Sequence, residues 1–146
     1  MTTRQISVER FSVTSSKPFE NIVSAIEAAV GHPDMREFAT HSGETTSFAE
    51  LKRFIEASLG ESGFMEFTRF NIGAVLRKES GAATPKILRL VIGNPLVMKE
   101  MAKHVPDAAS YAPVTVLVDE RADGVHSSYD RMASFLAPYG NRDALA

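Results

Sequence analysis

Two stretches of this sequence bring together residues whose types and spacing can do chemistry. In the first, Gly93-Asn94-Pro95 follows the apolar run KILRLVI (residues 86–92) and precedes a helical pattern. Asn suits a helix N-cap and Pro the first helical position, so this turn presents free backbone N–H groups and the positive end of a helix dipole, which together favour anions. Arg89 lies four residues before Gly93 in the same strand. A guanidinium there can grip a carboxylate or phosphate with two parallel hydrogen bonds. The plainer alternative is that Asn94 is only a cap and Arg89 sits on the solvated face of a sheet covered on one side.

The second stretch is His126, Tyr129 and Asp130, around a short strand and the start of a helix. An imidazole titrates near pH ~6.5 and can act as a general acid or base if it faces a cleft. Otherwise His126 is strand surface and Asp130 a helix cap. The remaining histidines, 32, 41 and 104, form no pair at metal-ligand spacing, and the chain has no Cys. No metal or cofactor is therefore expected. G-x-S-x-G, Walker, dinucleotide-glycine and H-E-x-x-H patterns are absent as well, so no residue is put forward as catalytic and an enzyme is the less favoured reading.

These groups belong to a chain of 146 residues, 44% hydrophobic, with 16 Lys+Arg against 18 Asp+Glu and a net charge of −2. One domain spanning 1–146 is the expectation at this length. The near-neutral balance leaves no footprint for nucleic acid. No run reaches the roughly 18 apolar residues that span a bilayer, and MTTRQISVER has no secretory apolar region, so a cytoplasmic protein away from membranes is expected.

The elements that must position the candidates follow from apolar periodicity. Residues 4–14 alternate as a strand with a bulge at Glu9-Arg10, and Phe19, Ile22, Val23, Ile26 and Val30 make a helix closed by Gly31. Residues 31–46 read as loop with one helical turn at Met35–Phe38. A capping box, Ser47-Phe48-Ala49-Glu50, then opens a helix with Leu51, Phe54, Ile55 and Leu59 in its stripe. Phe64–Phe70 reads as a strand with Phe64 and Phe70 on one face, and Gly73-Ala74-Val75-Leu76 as its continuation or a hairpin partner. After strand 86–92 come a helix from Pro95 stopped by Pro106, strand Val114–Val118, a turn at Ala122-Asp123-Gly124 and strand Val125–Ser128. A helix through Met132, Phe135, Leu136 and Tyr139 closes the pattern, and 141–146 reads as a frayed tail. This order indicates α+β.

In order along the chain, Gly63-Phe64, Gly93-Asn94-Pro95, Met98, Pro106-Asp107, Ala112-Pro113 before Val114–Val118, Asp123-Gly124 and Ser128-Tyr129-Asp130 resemble the bacterial domain-of-unknown-function family 302. Strand Ile6–Thr14 and helix Phe19–Val30 fit the family's opening. The resemblance implies a fold similar to that of the TATA-box-binding protein, a curved, mostly antiparallel sheet of about five strands with helices packed on one face. It implies neither DNA binding nor an established activity. Residues 31–62 look like a helical insertion in that pattern. Where many members carry a His after the strand opened by Gly-Phe, this chain reads Phe70-Asn71-Ile72-Gly73.

The functional expectation is a small-molecule or anion-binding module that self-associates. Its pocket would lie between the sheet and the Asn94 helix start, with Arg89, Gly93, Asn94, His126 and Tyr129 as ligand contacts. A homodimeric interaction protein without a ligand is the alternative, motivated by the alternation in 6–13 and the two-sided apolarity of 87–92. A His126-dependent enzyme is the weaker third.

Overall fold

The computed structural model describes residues 1–83 and 85–145. Strands β1 (Arg10–Ser15), β2 (Met65–Phe70), β3 (Ile87–Gly93), β4 (Val114–Arg121) and β5 (Gly124–Asp130) form one antiparallel sheet in the order β1-β5-β4-β3-β2. The helices are α1 (Phe19–Ala29), α2 (Met35–Glu44), α3 (Phe48–Ser58), α4 (Ile72–Ser80), α5 (Pro95–His104), α6 (Ala108–Tyr111), α7 (Met132–Leu136) and α8 (Arg142–Leu145). The class is α+β with an antiparallel sheet, as expected.

Strand pairing fixes which side chains share a face. Phe11 stands opposite Tyr129, Tyr129 opposite Val116, and Val116 opposite Leu90. Directly opposed residues point to the same side of a sheet, so these define one face. Leu88, Leu90 and Ile92 on that face are 7%, 0% and 5% exposed, and they pack with Val30 against Phe19, Val23 and Ile26 of α1. A second cluster, Val105, Ala108, Leu136 and Ala144, ties α5 to α8 with Met101 and Met132 beside it.

Several segments differ from their sequence reading, each for a local reason. β1 begins at Arg10: the Glu9 carbonyl still accepts from Arg131 N, just past β5, at 2.9 Å, but its N–H leaves the ladder and donates to Ser134 Oγ at 3.0 Å. The stretch 35–44 is a full helix because Asp34 caps it, accepting from Arg36 N and Glu37 N, and because Phe38 and His41 both lie against Phe54 of α3. The Ser47 cap forms, but the Glu50 carboxylate accepts from Thr46 rather than from the Ser47 N–H. Residues 72–80 are helix, not strand, since the Asn71 side chain caps them by accepting from Ala74 N. A register shift between Glu66 and Thr68 breaks the alternation in β2. Phe70, opposite Arg89, therefore faces away from the helices, whereas Phe64 lies on the helix side. Residues 142–145 are helical with Ala144 buried, and Asn141 Oδ1 accepts from Asp143 N and Ala144 N.

The helical segment between α1 and β2 returns through a close crossing. A Cβ on Gly31 would sit 1.9 Å from Ser58 O, and one on Gly60 2.5 Å from the Val30 carbonyl carbon. Only glycine permits that approach. It lets Gly31 N and Gly60 N both donate to Phe64 O at 2.9 Å, which anchors the chain entering β2.

Candidate functional site

The pleat decides where the sequence candidates point. Because Leu88, Leu90 and Ile92 fill the helix side, Arg89 projects from the opposite face. There its Nε donates to Thr115 Oγ1 at 3.2 Å and its guanidinium lies 5.4 Å from the Phe70 ring centroid. His126 is on that same far face, opposite Asp119, and its Nε2 lies 2.7 Å from Asp123 Oδ1. That contact holds the Asp123 carboxyl below its ordinary range. Leu117 and Asp119 of β4 stand between Arg89 and His126, so the two face a common surface without meeting.

Asn94 and Tyr129 do reach the helix side. The Asn94 side chain is already engaged at both ends: Oδ1 accepts from Leu96 N at 2.9 Å and Nδ2 donates to Gly63 O at 3.0 Å. It caps α5 and fastens the loop before β2. Gly93 is buried, and a Cβ there would meet Pro113 Cβ at 2.8 Å and Met98 Sδ at 3.4 Å. Its smallness serves packing at the end of β3, not approach by a ligand. Tyr129 is 40% exposed, with its ring 5.5 Å from that of Phe11. The five candidates therefore do not form one pocket. Arg89 and His126 face away, Gly93 is packed, and Asn94 and Tyr129 border a cleft that the residue pattern did not define.

That cleft lies on the helix side, between α1 and α5, and has a volume of about 770 Å³. Its floor crosses three strands, with Ile92 from β3, Val114 and Val116 from β4, and Ser127 and Tyr129 from β5. Ile22 and Ile26 form one wall, and Met98 and Met101 the other. Ala25 and Ala29 on the α1 wall, and Ala112 ahead of β4, leave room that larger side chains would fill. Phe64 stands at the β2 end and Met132 at the β5 end.

Among the described residues, the only charged residue bordering the cleft is Asp130, and by alternation with Tyr129 its side chain turns to the far face. It is held by Arg10, whose Nε and Nη2 donate to its two oxygens at 2.7 and 3.0 Å. Those bonds keep the Asp130 carboxyl below its ordinary range. No lysine, arginine or histidine borders the cleft among the described residues.

In sequence these walls looked like ordinary core stripes. The signal that marked them was a pair of alanines four apart on the apolar side of α1, facing methionines on α5. Methionine is flexible and polarizable and lines surfaces that adapt to varied shapes.

A smaller hollow of about 250 Å³ lies beside His104, Asp107, Tyr139 and Asn141. Tyr139 donates to Asp107 Oδ2 at 2.6 Å, and its oxygen lies 2.8 Å from that of Tyr111. The Asp107 and Tyr111 bonds hold the Tyr139 proton well above the ordinary phenol range, and they tie α6 to the turn after α7. No group of three or more His, Asp or Glu placed to hold a metal ion occurs among the described residues. None of the described helices is long and apolar enough to cross a membrane.

A family model for a domain of unknown function, DUF302, matches residues 38–146, from within α2 onward. No curated protein matches the chain. Among solved structures, this chain is similar to the crystal structure of an uncharacterized conserved protein DUF302 from Bacillus stearothermophilus. The TM-score is 0.57 at 11% identity, covering 92% of this chain and 83% of that one. At that identity the likeness is one of fold.

Proposed function

This chain belongs to the domain-of-unknown-function family DUF302, and from that footing we propose that it is a small-molecule-binding module whose site is the α1–α5 cleft, and that it self-associates along β1. The observation that carries the first part is the cleft itself, about 770 Å³ of space walled by isoleucine, valine and methionine on the face where a sheet normally closes against its helices. Ligand sites fall in the range of about 300–1,000 Å³, mostly apolar with a few polar groups. An anion finds less support, since Arg89 faces away and the Asn94 amide is committed to Leu96 and Gly63. A His126-dependent reaction finds none in the cleft, because His126 stands on the other face.

Self-association rests on a separate observation. β1 is an edge strand whose Phe11 and Val13 are each 49% exposed, and it contains no Pro. Such an edge is a template for pairing with another chain. Phe11 also abuts Tyr129 at the cleft mouth, so a second copy seated there would extend the wall of the site. Native mass spectrometry of the protein purified from its own host, with light scattering at micromolar concentration, tests both parts. A retained small molecule or saturable uptake of N-phenyl-1-naphthylamine supports binding, and the absence of both overturns it. A monomeric mass overturns self-association.

A further inference from the structure

Given that the cleft is a binding site, we infer that its ligand is an uncharged, elongated hydrocarbon carrying a neutral hydroxyl or carbonyl end, of the fatty-alcohol or isoprenoid kind. The floor runs across the strands from Ile92 through Val114 and Val116 to Tyr129. Neighbouring strands lie about 4.8 Å apart, so β3 to β5 spans roughly 10 Å. Phe64 and Met132 extend the cleft beyond both ends of that floor. This shape takes a chain along its length.

The electrostatics set the character of the head group. At the β5 end the Ser127 hydroxyl and the Tyr129 phenol are neutral groups that both donate and accept. Asp130 follows Tyr129, but its carboxylate turns to the far face and binds Arg10 there. A ligand carboxylate would lose water and meet no cation among the described residues of the cleft walls. Burying a charge without a partner is strongly unfavourable. A hydroxyl on the same chain loses far less and finds Ser127 and Tyr129. The net charge of −2 also disfavours an approaching anion.

The test uses the full chain with N-phenyl-1-naphthylamine as the fluorescent probe, displaced at pH 8 by 1-decanol or by decanoate, which share a chain length. Two variants, Ala25→Trp on one wall and Val97→Trp on the other, block the cleft from positions that are exposed, and circular dichroism verifies that they fold. We expect saturable probe binding that either variant abolishes, with decanol displacing the probe at concentrations at least about tenfold lower than decanoate does. Decanoate competing as well as decanol overturns the ligand class and leaves the cleft standing. Absent probe binding, or binding that survives in both folded variants, overturns the cleft as a site and this inference with it.

Discussion

A cation placed in the cleft should reverse its preference. Ser127 lies on β5 between Val13 of β1 and Val118 of β4, on the helix side and only half-buried, so a longer side chain there can extend along the cleft towards Tyr129. Ser127→Lys adds an ammonium where a ligand head group is expected. Two unit charges 4 Å apart attract by about 4 kcal/mol at an effective dielectric constant of 20. Dehydrating both groups removes much of that, and hydrogen bonds to charged groups contribute a net ~1.5–3 kcal/mol. The resulting gain for decanoate over decanol is roughly 10- to 150-fold.

The assay is probe displacement at pH 8, with the ratio of the two dissociation constants compared between wild type and variant. Ser12→Lys is the control, because Ser12 stands opposite Ser128 on the far face of the sheet and adds the same charge outside the cleft. It should leave the ratio unchanged. The gain should also fade as the pH falls through the decanoate pKa, since only the carboxylate is drawn to the lysine. A ratio that moves equally in both variants, or by less than about threefold in Ser127→Lys, would show that the head group does not lie at the β5 end.

Other regions yield sharper structural outcomes. Phe11→Glu puts a charge on the exposed side of β1 and should reduce the mass seen by light scattering to that of one chain, with the far-ultraviolet spectrum unchanged. Asn94→Ala removes the α5 cap and the bond to Gly63 O, and should cost about 1–2 kcal/mol. In thermal unfolding that is roughly 2–8 °C for a chain of this size, with probe affinity nearly unchanged. Gly31→Ala sets a Cβ 1.9 Å from Ser58 O and should destabilise more than Asn94→Ala in urea, whereas Gly43→Ala, with nothing within 4 Å of its Cβ, should stabilise α2. The Asp130 carboxyl is held below its ordinary value of 3.8 by Arg10. Its contribution is therefore complete above that value and disappears as the pH falls through the lower folded pKa. Asp130→Asn should accordingly show a lower urea midpoint than wild type at pH 7, with the gap narrowing once the pH falls below 3.8.

Where the hydrophobic pattern was regular, the sequence was sufficient. The Asn94-Pro95 helix start, the run 87–92 and the strand from Val114 all lie where their residue types require. The irregular segments needed information the pattern lacks. Residues 35–44 contain Gly43 and carry a thin apolar stripe, so their helix depends on the Asp34 cap and on contacts to Phe54 from the next helix. Residues 72–80 are apolar enough for either state, and the Asn71 cap decides for helix. The register shift in β2 moves Phe70 to the face opposite the helices, and no count of alternating residues reveals which position a sheet will bulge.

The site was legible in part, and the division has a physical cause. Arg89 alternates with Leu88, Leu90 and Ile92, so a sheet covered on one side must turn it outward, as the plainer reading of that strand held. The cleft is a different kind of feature, because it depends on the distance between two helices. That distance follows from side chains far apart in sequence: alanines at 25 and 29, methionines at 98 and 101, and the valines beneath them. Each stripe alone reads as ordinary core. Only when α1 and α5 are set on the same sheet does the small size of the α1 side chains become unfilled space. A chain selected only for stability would gain by enlarging Ala25 or Ala29, since apolar surface buried there is favourable at about 25 cal/mol per Å². The cleft therefore exists because these two residues are small, and the proposed binding function rests on that space.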